Sequence, residues 1–311
     1  MSNNKPKKVA IVTGSTGYVG RNLVKKLLSN DWSVGVILRP KSVDNLGSYK
    51  KLDRYNYDYK YESMFKIIRN HKPDVVFHIA SMIVLDHEQN QAEDLVFGNI
   101  TFGTHLLEAM SANNVKRIVN TSTYWEHYEG ARYNPVNLYA ATKKAFYSIL
   151  LFYVQVKNFR AITLELFDVY GPNDTRSKLL NFLINSKNNT RAIKLSPGEQ
   201  KIDLVHIDDV VSAYILAADK LLVDNISDSQ IYCVNSKNAI TIKELVAQLQ
   251  RVIGTTLNIK WGGRGYRDRE IMEPFQAYGN LPGWKPEITL KTGIKQIIYQ
   301  HKVIDDKKDI S

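Results

Sequence analysis

The stretch Val9-Ala10-Ile11-Val12-Thr13-Gly14-Ser15-Thr16-Gly17-Tyr18-Val19-Gly20 decides the fold. Its first five residues are a short, β-branched apolar run, and the residues that follow, Arg21-Asn22-Leu23-Val24-Lys25-Lys26-Leu27-Leu28, carry apolar side chains at helical spacing. Glycines at 14, 17 and 20 suit a tight strand-to-helix turn, because they let backbone N–H groups approach a pyrophosphate and let the helix pack closely on the strand. A dinucleotide turn built from Gly14, Ser15, Thr16, Gly17, Tyr18, Val19 and Gly20 is expected. An ordinary strand-to-helix turn is the alternative.

The alternation continues downstream. Apolar runs at Val34–Leu38, Val75–Ala80, Arg117–Thr121 and Ala161–Leu166 are separated by helical patterns, which reads as buried parallel strands in a doubly wound α/β sheet. Beyond Gly171-Pro172 the pattern loosens into a helix-like Ser177–Lys187, a strand and helix near Ile231–Ile253, and a tail rich in Gly, Pro and Trp. The expectation is a Rossmann domain over 1–172 and a smaller mixed α/β substrate lobe over 173–311, with a stretch near 200–235 returning to the first domain.

Composition narrows the partners. With 44% apolar and 23% charged residues, the 311-residue chain can bury a substantial core, so disorder is excluded as its main state. Phe146–Val156, its longest uncharged apolar stretch, is far shorter than the roughly 20 residues that span a bilayer. No membrane association is expected. The opening Met1-Ser2-Asn3-Asn4-Lys5-Pro6-Lys7-Lys8 lacks a secretory pattern, and one cysteine, Cys233, makes neither an internal disulfide nor a thiolate cluster, so a reducing cytoplasm and no metal are expected. The formal charge of +11 favours anionic partners, but the bases are scattered rather than interleaved with aromatics, so a phosphorylated small molecule is preferred to nucleic acid.

After the second strand stand Arg39-Pro40-Lys41. A cation here accommodates a 2′-phosphate, whereas an acidic residue would hold a ribose 2′-hydroxyl. NADP(H) is therefore expected over NAD, with Arg39 as a mere surface charge the alternative. Asp58 is placed to accept from an adenine amino group, or is simply a loop carboxylate.

Tyr139 and Lys143 stand four residues apart on a predicted helix, where such positions share a face. An ammonium beside a phenol stabilises the phenolate and draws its pKa towards the range of a general acid or base. The strand before them ends in Thr121-Ser122-Thr123, at the sheet edge where ligands of open α/β folds bind.

Gly14-x-x-Gly17-x-x-Gly20, His78-Ile79-Ala80-Ser81, Asn99, Thr121–Thr123, Tyr139-x-x-x-Lys143 and Val169-Tyr170-Gly171-Pro172 together resemble the extended short-chain dehydrogenase/reductase superfamily. Gly198–Val210 and Gly283-Trp284-Lys285-Pro286 resemble the carboxyl half of its nucleotide-sugar branch. The resemblance implies that Tyr139 donates or accepts the proton, that Lys143 sets its acidity and bonds the nicotinamide ribose, and that Thr123 bonds the reacting oxygen. It implies that Asn99 holds active-site backbone or water, and that Tyr59, Ala80, Ser81 and Val169 join the cofactor site. Strand-end capping is the alternative for Ser122 and Thr123.

Tyr124-Trp125 stand where the 4,6-dehydratases of this superfamily carry Asp-Glu, and Cys233 is remote from the Cys–His function of the 3,5-epimerase-reductases, so neither reaction is expected. Tyr139 follows Thr123 by 16 positions, and this spacing, Gly198-Glu199-Gln200 and Arg267-Asp268-Arg269-Glu270 resemble the reductases of CDP-4-keto-3,6-dideoxyhexoses. That resemblance implies NADPH-dependent reduction of the C4 keto group of a nucleotide-linked 6-deoxy-4-ketohexose. A 4-epimerase with bound NAD, a reductase of a non-nucleotide carbonyl and a non-catalytic cofactor sensor are the alternatives. The superfamily's phosphate-contacting arginine is replaced by Ile202 beside Lys201, which shifts phosphate binding to Lys201, Lys178 and Arg267, and Asp168 replaces an asparagine and would select a sugar hydroxyl. Arg267 as a rim charge and Asp168 as a cap remain the alternatives. Phe146–Val154 is apolar on nearly every side, so a homodimer through a four-helix contact with the Asn99–Asn113 helix is expected, or else a helix buried within one chain.

Overall fold

The computed structural model describes residues 7–40, 42–187, 189–223 and 228–308, with the backbone alone for 301–308. Of the opening stretch Met1–Lys8, residues 1–6 lie outside the described residues, as does Lys41.

The chain forms two compact units, one of Met1–Thr123, Asn137–Glu165 and Val211–Tyr232, the other of Tyr124–Val136, Leu166–Val210 and Cys233–Ser311. The chain opens with strand β1 (Val9–Thr13), helix α1 (Tyr18–Ser29), β2 (Ser33–Leu38), β3 (Leu52–Asn56), α2 (Tyr61–His71) and β4 (Val75–His78). It continues with α3 (Ala92–Val96), α4 (Phe102–Ala112), β5 (Arg117–Thr123), α5 (Leu138–Lys157) and β6 (Arg160–Leu166). Later come β7 (Asp168–Tyr170), α6 (Leu179–Asn185), β8 (Ile193–Lys194), β9 (Lys201–Ile202), β10 (Leu204–His206), α7 (Ile207–Val223) and β11 (Ser229–Val234). The last elements are β12 (Ile240–Thr241), α8 (Ile242–Ile253), β13 (Ile259–Lys260) and α9 (Leu290–Lys308).

Seven strands form one sheet in the order β11-β6-β5-β4-β1-β2-β3, with β1 parallel to β2 and β4, β2 to β3, and β4 to β5. This is the expected doubly wound α/β sheet. Its order reverses between β1 and β4, and the crevice at the carboxyl ends of such strands is where ligands of open α/β sheets bind. The strand interiors are apolar because both faces are covered: Ile11, Val76 and Ile118 lie in a core with Leu106, Leu107, Phe146 and Leu150. Phe77 meets Trp32 and Tyr214, with ring centroids 6.2 and 6.4 Å apart. β4 stops at His78, short of the apolar run's end at Ala80, because the N–H groups of Ile79 and Ala80 turn to the Thr13 hydroxyl, at 3.2 and 3.1 Å.

The second unit holds short mixed pairs: β7 with β10 parallel, β9 with β12 antiparallel and β8 with β13 parallel. Its core gathers Tyr170, Leu183, Leu245, Leu249 and Ile294. Thr241 and Glu244 form a capping box at the start of α8, satisfying backbone donors that a helix end leaves open. Gly283-Trp284-Lys285-Pro286 has a structural task here. The Trp284 indole N–H donates to the Asp209 carbonyl at 2.9 Å, and the Asp209 carboxylate accepts from the N–H groups of Glu287 and Ile288 at 3.1 and 3.0 Å. Among the described residues no helix is long and apolar enough to cross a membrane.

Candidate active site

The glycine turn has the form that a pyrophosphate requires. Gly14 adopts φ +68°, and a Cβ there would fall 2.6 Å from the Ala80 nitrogen; one on Gly20 would fall 2.1 Å from the Gly14 carbonyl oxygen. No larger residue fits either place. Gly17 caps α1 without a side-chain bond, the first turn carries no acidic residue, and the buried Ser15 Oγ has no hydrogen-bond partner among the described residues. Uncapped N–H groups at the positive end of a helix dipole, with a spare buried hydroxyl beside them, fit the pyrophosphate of a nicotinamide dinucleotide. Thr16 offers its carbonyl to Asn45 at 3.2 Å, while Tyr18 and Val19 are buried.

Arg39 follows the last residue of β2, is exposed, and has no carboxylate partner among the described residues. Asp58 is exposed and locally engaged. Its carboxylate accepts from the Lys60 N–H at 3.1 Å, and the Ser63 hydroxyl and this amide hold it below the usual carboxylate range. Tyr59 is left-handed at φ +72°, with its ring edge-on to Tyr57 and Phe97.

Asn99 is 1% exposed and lies on a π-helical turn, Phe97–Thr101, between α3 and α4. Such turns re-aim one side chain within a helix and recur at functional sites. Its Oδ1 accepts from the Met82 N–H at 2.7 Å and the Ser81 hydroxyl at 3.2 Å, while its Nδ2 donates to the Met82 carbonyl at 3.0 Å and the Thr142 hydroxyl at 2.9 Å. Asn99 thus ties the segment after β4 to α5.

The helix α5 is started by Asn137, whose side chain accepts from the Ala140 N–H at 3.0 Å. It carries Tyr139 and Lys143, 7% and 2% exposed, and the last residue of β5 is Thr123, also 7% exposed. Lys143 lies close enough to His78 that its charge, after burial, holds that imidazole well below its ordinary pKa. Thr121 donates to the His78 carbonyl at 2.9 Å, so Tyr214 donates to the Thr121 oxygen across 2.6 Å. Burial, and to a lesser degree the neighbouring Tyr139, raises the Tyr214 phenol.

In the second unit Asp168 and Lys178 come together, Nζ to Oδ1 at 3.7 Å. The Tyr124 hydroxyl donates to Asp168 Oδ2 at 2.6 Å, and burial followed by the Asp168 charge raises that phenol well above its ordinary value. Tyr124 stacks on Phe167 at 4.6 Å, and the Lys178 ammonium lies over the Trp125 ring at 5.9 Å. Lys201 pairs with Glu273 at 2.9 Å, whereas Arg267 is exposed and only its backbone N–H is bonded to the Glu270 carboxylate, at 3.3 Å. The Val169 carbonyl accepts from Arg176 at 2.9 Å. Sequence reasoning passed over Thr13, Thr142 and Tyr214 as functional residues. Only Thr13 carried a signal, as the polar last residue of the first strand.

The sequence pattern of the NAD dependent epimerase/dehydratase family matches residues 10–232. The chain is 31% identical over 278 residues to a CDP-abequose synthase of Yersinia pseudotuberculosis, covering 87% of this chain and 93% of that one. It is 26% identical over 297 residues to a CDP-abequose synthase of Salmonella muenchen, covering 94% and 97%. Among solved structures it resembles a UDP-glucose 4-epimerase of Thermotoga maritima with a TM-score of 0.82 at 21% identity, over 95% of this chain and 99% of that one. These matches span the glycine turn, the seven-stranded sheet with its reversed order and the tyrosine–lysine helix, and the chain belongs to the NAD dependent epimerase/dehydratase family, within the extended short-chain dehydrogenases/reductases.

Proposed function

We propose that the protein reduces the C4 keto group of a nucleotide-linked 6-deoxy-4-ketohexose with NADPH, with a CDP-sugar as the favoured substrate. The reading is carried by the Tyr139–Lys143 pair, buried on α5 in the same unit as the glycine turn. The similarity to CDP-abequose synthases supports it. The first unit is the NADP(H)-binding domain, with Arg39 on the 2′-phosphate, and in the second unit Asp168, Lys178, Lys201 and Arg267 are assigned to the nucleotide sugar.

When bound, the reduced nicotinamide supplies the hydride to C4. Tyr139 gives its phenolic proton to the carbonyl oxygen as the alkoxide forms, and the proton is replaced from solvent. The Lys143 ammonium steadies the phenolate that is left. Thr123 donates to the same oxygen, and Asn99 keeps the Ser81–Met82 backbone in register with α5. General acid catalysis of this kind contributes about 10²–10⁴-fold.

A second reading, 4-epimerisation with retained NAD, is supported by the fold shared with UDP-glucose 4-epimerases. NADPH oxidation on adding a CDP-4-keto-6-deoxyhexose, at least about 10²-fold slower in Tyr139→Phe, is the expected result. Interconversion of a sugar nucleotide without net NADPH consumption would establish the second reading instead, and turnover of a non-nucleotide carbonyl alone would remove the nucleotide sugar from the proposal.

We also assign the protein to the cytoplasm, with neither nucleic acid nor a membrane as partner, and to a homodimer through α4 and α5. Phe152 and Val156 on α5 are 49% and 55% exposed, which leaves an apolar strip for a second copy. Sedimentation at micromolar concentration tests it, and a monomer there would remove the dimer.

A further inference from the structure

A row of buried polar side chains crosses the sheet on the face covered by α4 and α5. It runs through Thr13 of β1, His78 of β4, Asn120 of β5 and Thr163 of β6, each 0–1% exposed. Register pairs Thr13 with His78 and His78 with Asn120, so these side chains share a face, and His78 packs on Phe102 and Phe146 at 5.9 and 4.8 Å. Polar groups in such a place must be bonded, because no bulk water reaches them.

Hydrogen-bond bookkeeping fixes their states. The Thr13 oxygen already accepts two backbone N–H groups, from Ile79 and Ala80, and of the two acceptors in reach of its own proton, the Phe77 carbonyl at a marginal 3.5 Å and His78 Nδ1 at 3.0 Å, the nearer takes it. His78 is then a neutral imidazole with its proton on Nε2. At the far end, Asn120 Nδ2 donates to the Thr163 hydroxyl at 3.3 Å, which leaves Oδ1. Among the described residues neither His78 Nε2 nor Asn120 Oδ1 has a partner. The row therefore carries an unmet donor on β4 and an unmet acceptor on the residue paired with it in β5.

We propose that a single internal water molecule closes this gap, accepting from His78 Nε2–H and donating to Asn120 Oδ1. Buried waters typically take about three hydrogen bonds to polar groups that would otherwise be unsatisfied. The site accounts for both orphaned atoms and makes one bonded line from the amides of Ile79 and Ala80 to β6. It also locks His78 as a neutral ring, so no second positive charge forms beside Lys143. None of this depends on which carbonyl compound the enzyme reduces.

Two measurements on the full-length protein test it. A crystal structure at about 1.5 Å or better is expected to show one ordered water within hydrogen-bond distance of both atoms; a direct His78–Asn120 bond, or an empty gap, would overturn the proposal. Nitrogen-15 spectra of histidine-labelled protein, with His78 assigned by its loss in His78→Gln, are expected to show protonated Nε2 and bare Nδ1 from pH 8 to 5. A proton on Nδ1, or ordinary titration near 6.5, would also overturn it.

Discussion

Asn99 donates from Nδ2 to the Thr142 hydroxyl at 2.9 Å, and Thr142 donates in turn to the Tyr139 carbonyl at 2.8 Å. The π-turn is thereby one bond from the helical turn that presents the phenol. Thr142→Val keeps the shape but strips Asn99 of an acceptor and the Tyr139 carbonyl of a donor, at a cost of about 1–3 kcal/mol. For a chain of this size the melting temperature should fall by about 2–4 °C per kcal/mol. Because the change acts on the aim of Tyr139 rather than on substrate contacts, kcat should fall while KM stays near its wild-type value. Thr142→Ser should restore both; steady-state kinetics and thermal denaturation check this.

Arg39 supplies the next prediction. An exposed cation at the end of β2, unpaired among the described residues, is free to meet a 2′-phosphate. Arg39→Ala should raise the KM for NADPH by about tenfold or more, equivalent to about 1.4 kcal/mol, and leave the KM for NADH within about twofold. Equal losses with both nucleotides would remove the assignment of Arg39 to the 2′-phosphate.

Two buried histidines of the first unit make stability depend on pH. Burial pushes His71 below its ordinary value of 6.5, against the opposing bond of its Nε2–H to the Ala10 carbonyl at 3.0 Å, and burial with Lys143 pushes His78 well below. Both stay neutral in the fold and charge more readily in the unfolded chain. Their contribution is complete above about 6.5 and is lost as pH falls from there towards the folded-state values. Urea unfolding should show a falling midpoint between pH 7 and 5, before most carboxylates titrate. His71→Gln, which keeps a donor for Ala10, should flatten that slope.

Much of the sheet was legible because it is written locally. Val9–Thr13 is an apolar run of strand length, the glycines after it fix a turn by steric exclusion, and Tyr139 and Lys143 share a face through helical spacing alone. What escaped is long-range. Tyr214 meets Thr121 from 93 residues away, and nothing local marks a tyrosine on an apolar helix as a hydrogen-bond donor to that strand. The π-turn at Asn99 was likewise hidden, since a single inserted residue leaves the apolar periodicity of Leu95–Met110 almost intact. The Tyr124–Val136 segment belongs to the second unit although it follows a strand of the first, because its contacts are set by packing rather than by sequence order.

Tyr124 illustrates how such packing reaches the substrate reading. Its hydroxyl donates to Asp168 Oδ2 at 2.6 Å, and its ring is clamped on Phe167, so the carboxylate cannot swing freely. A hydrogen bond to a charged acceptor contributes about 1.5–3 kcal/mol. Tyr124→Phe preserves the stack and removes only the donor, leaving Asp168 held by Lys178 across the longer 3.7 Å contact. If Asp168 accepts from a sugar hydroxyl, a looser carboxylate should raise the KM for the nucleotide sugar by about 5–20-fold, the range that ~1–2 kcal/mol spans. The KM for NADPH should be unchanged, and so should the pH profile of kcat, which the proposal assigns to Tyr139. Asp168→Asn, which keeps an acceptor oxygen but not the charge, should raise the same KM to a similar degree. A KM unmoved in both variants would reduce the Tyr124–Asp168 pair to a structural clamp within the second unit.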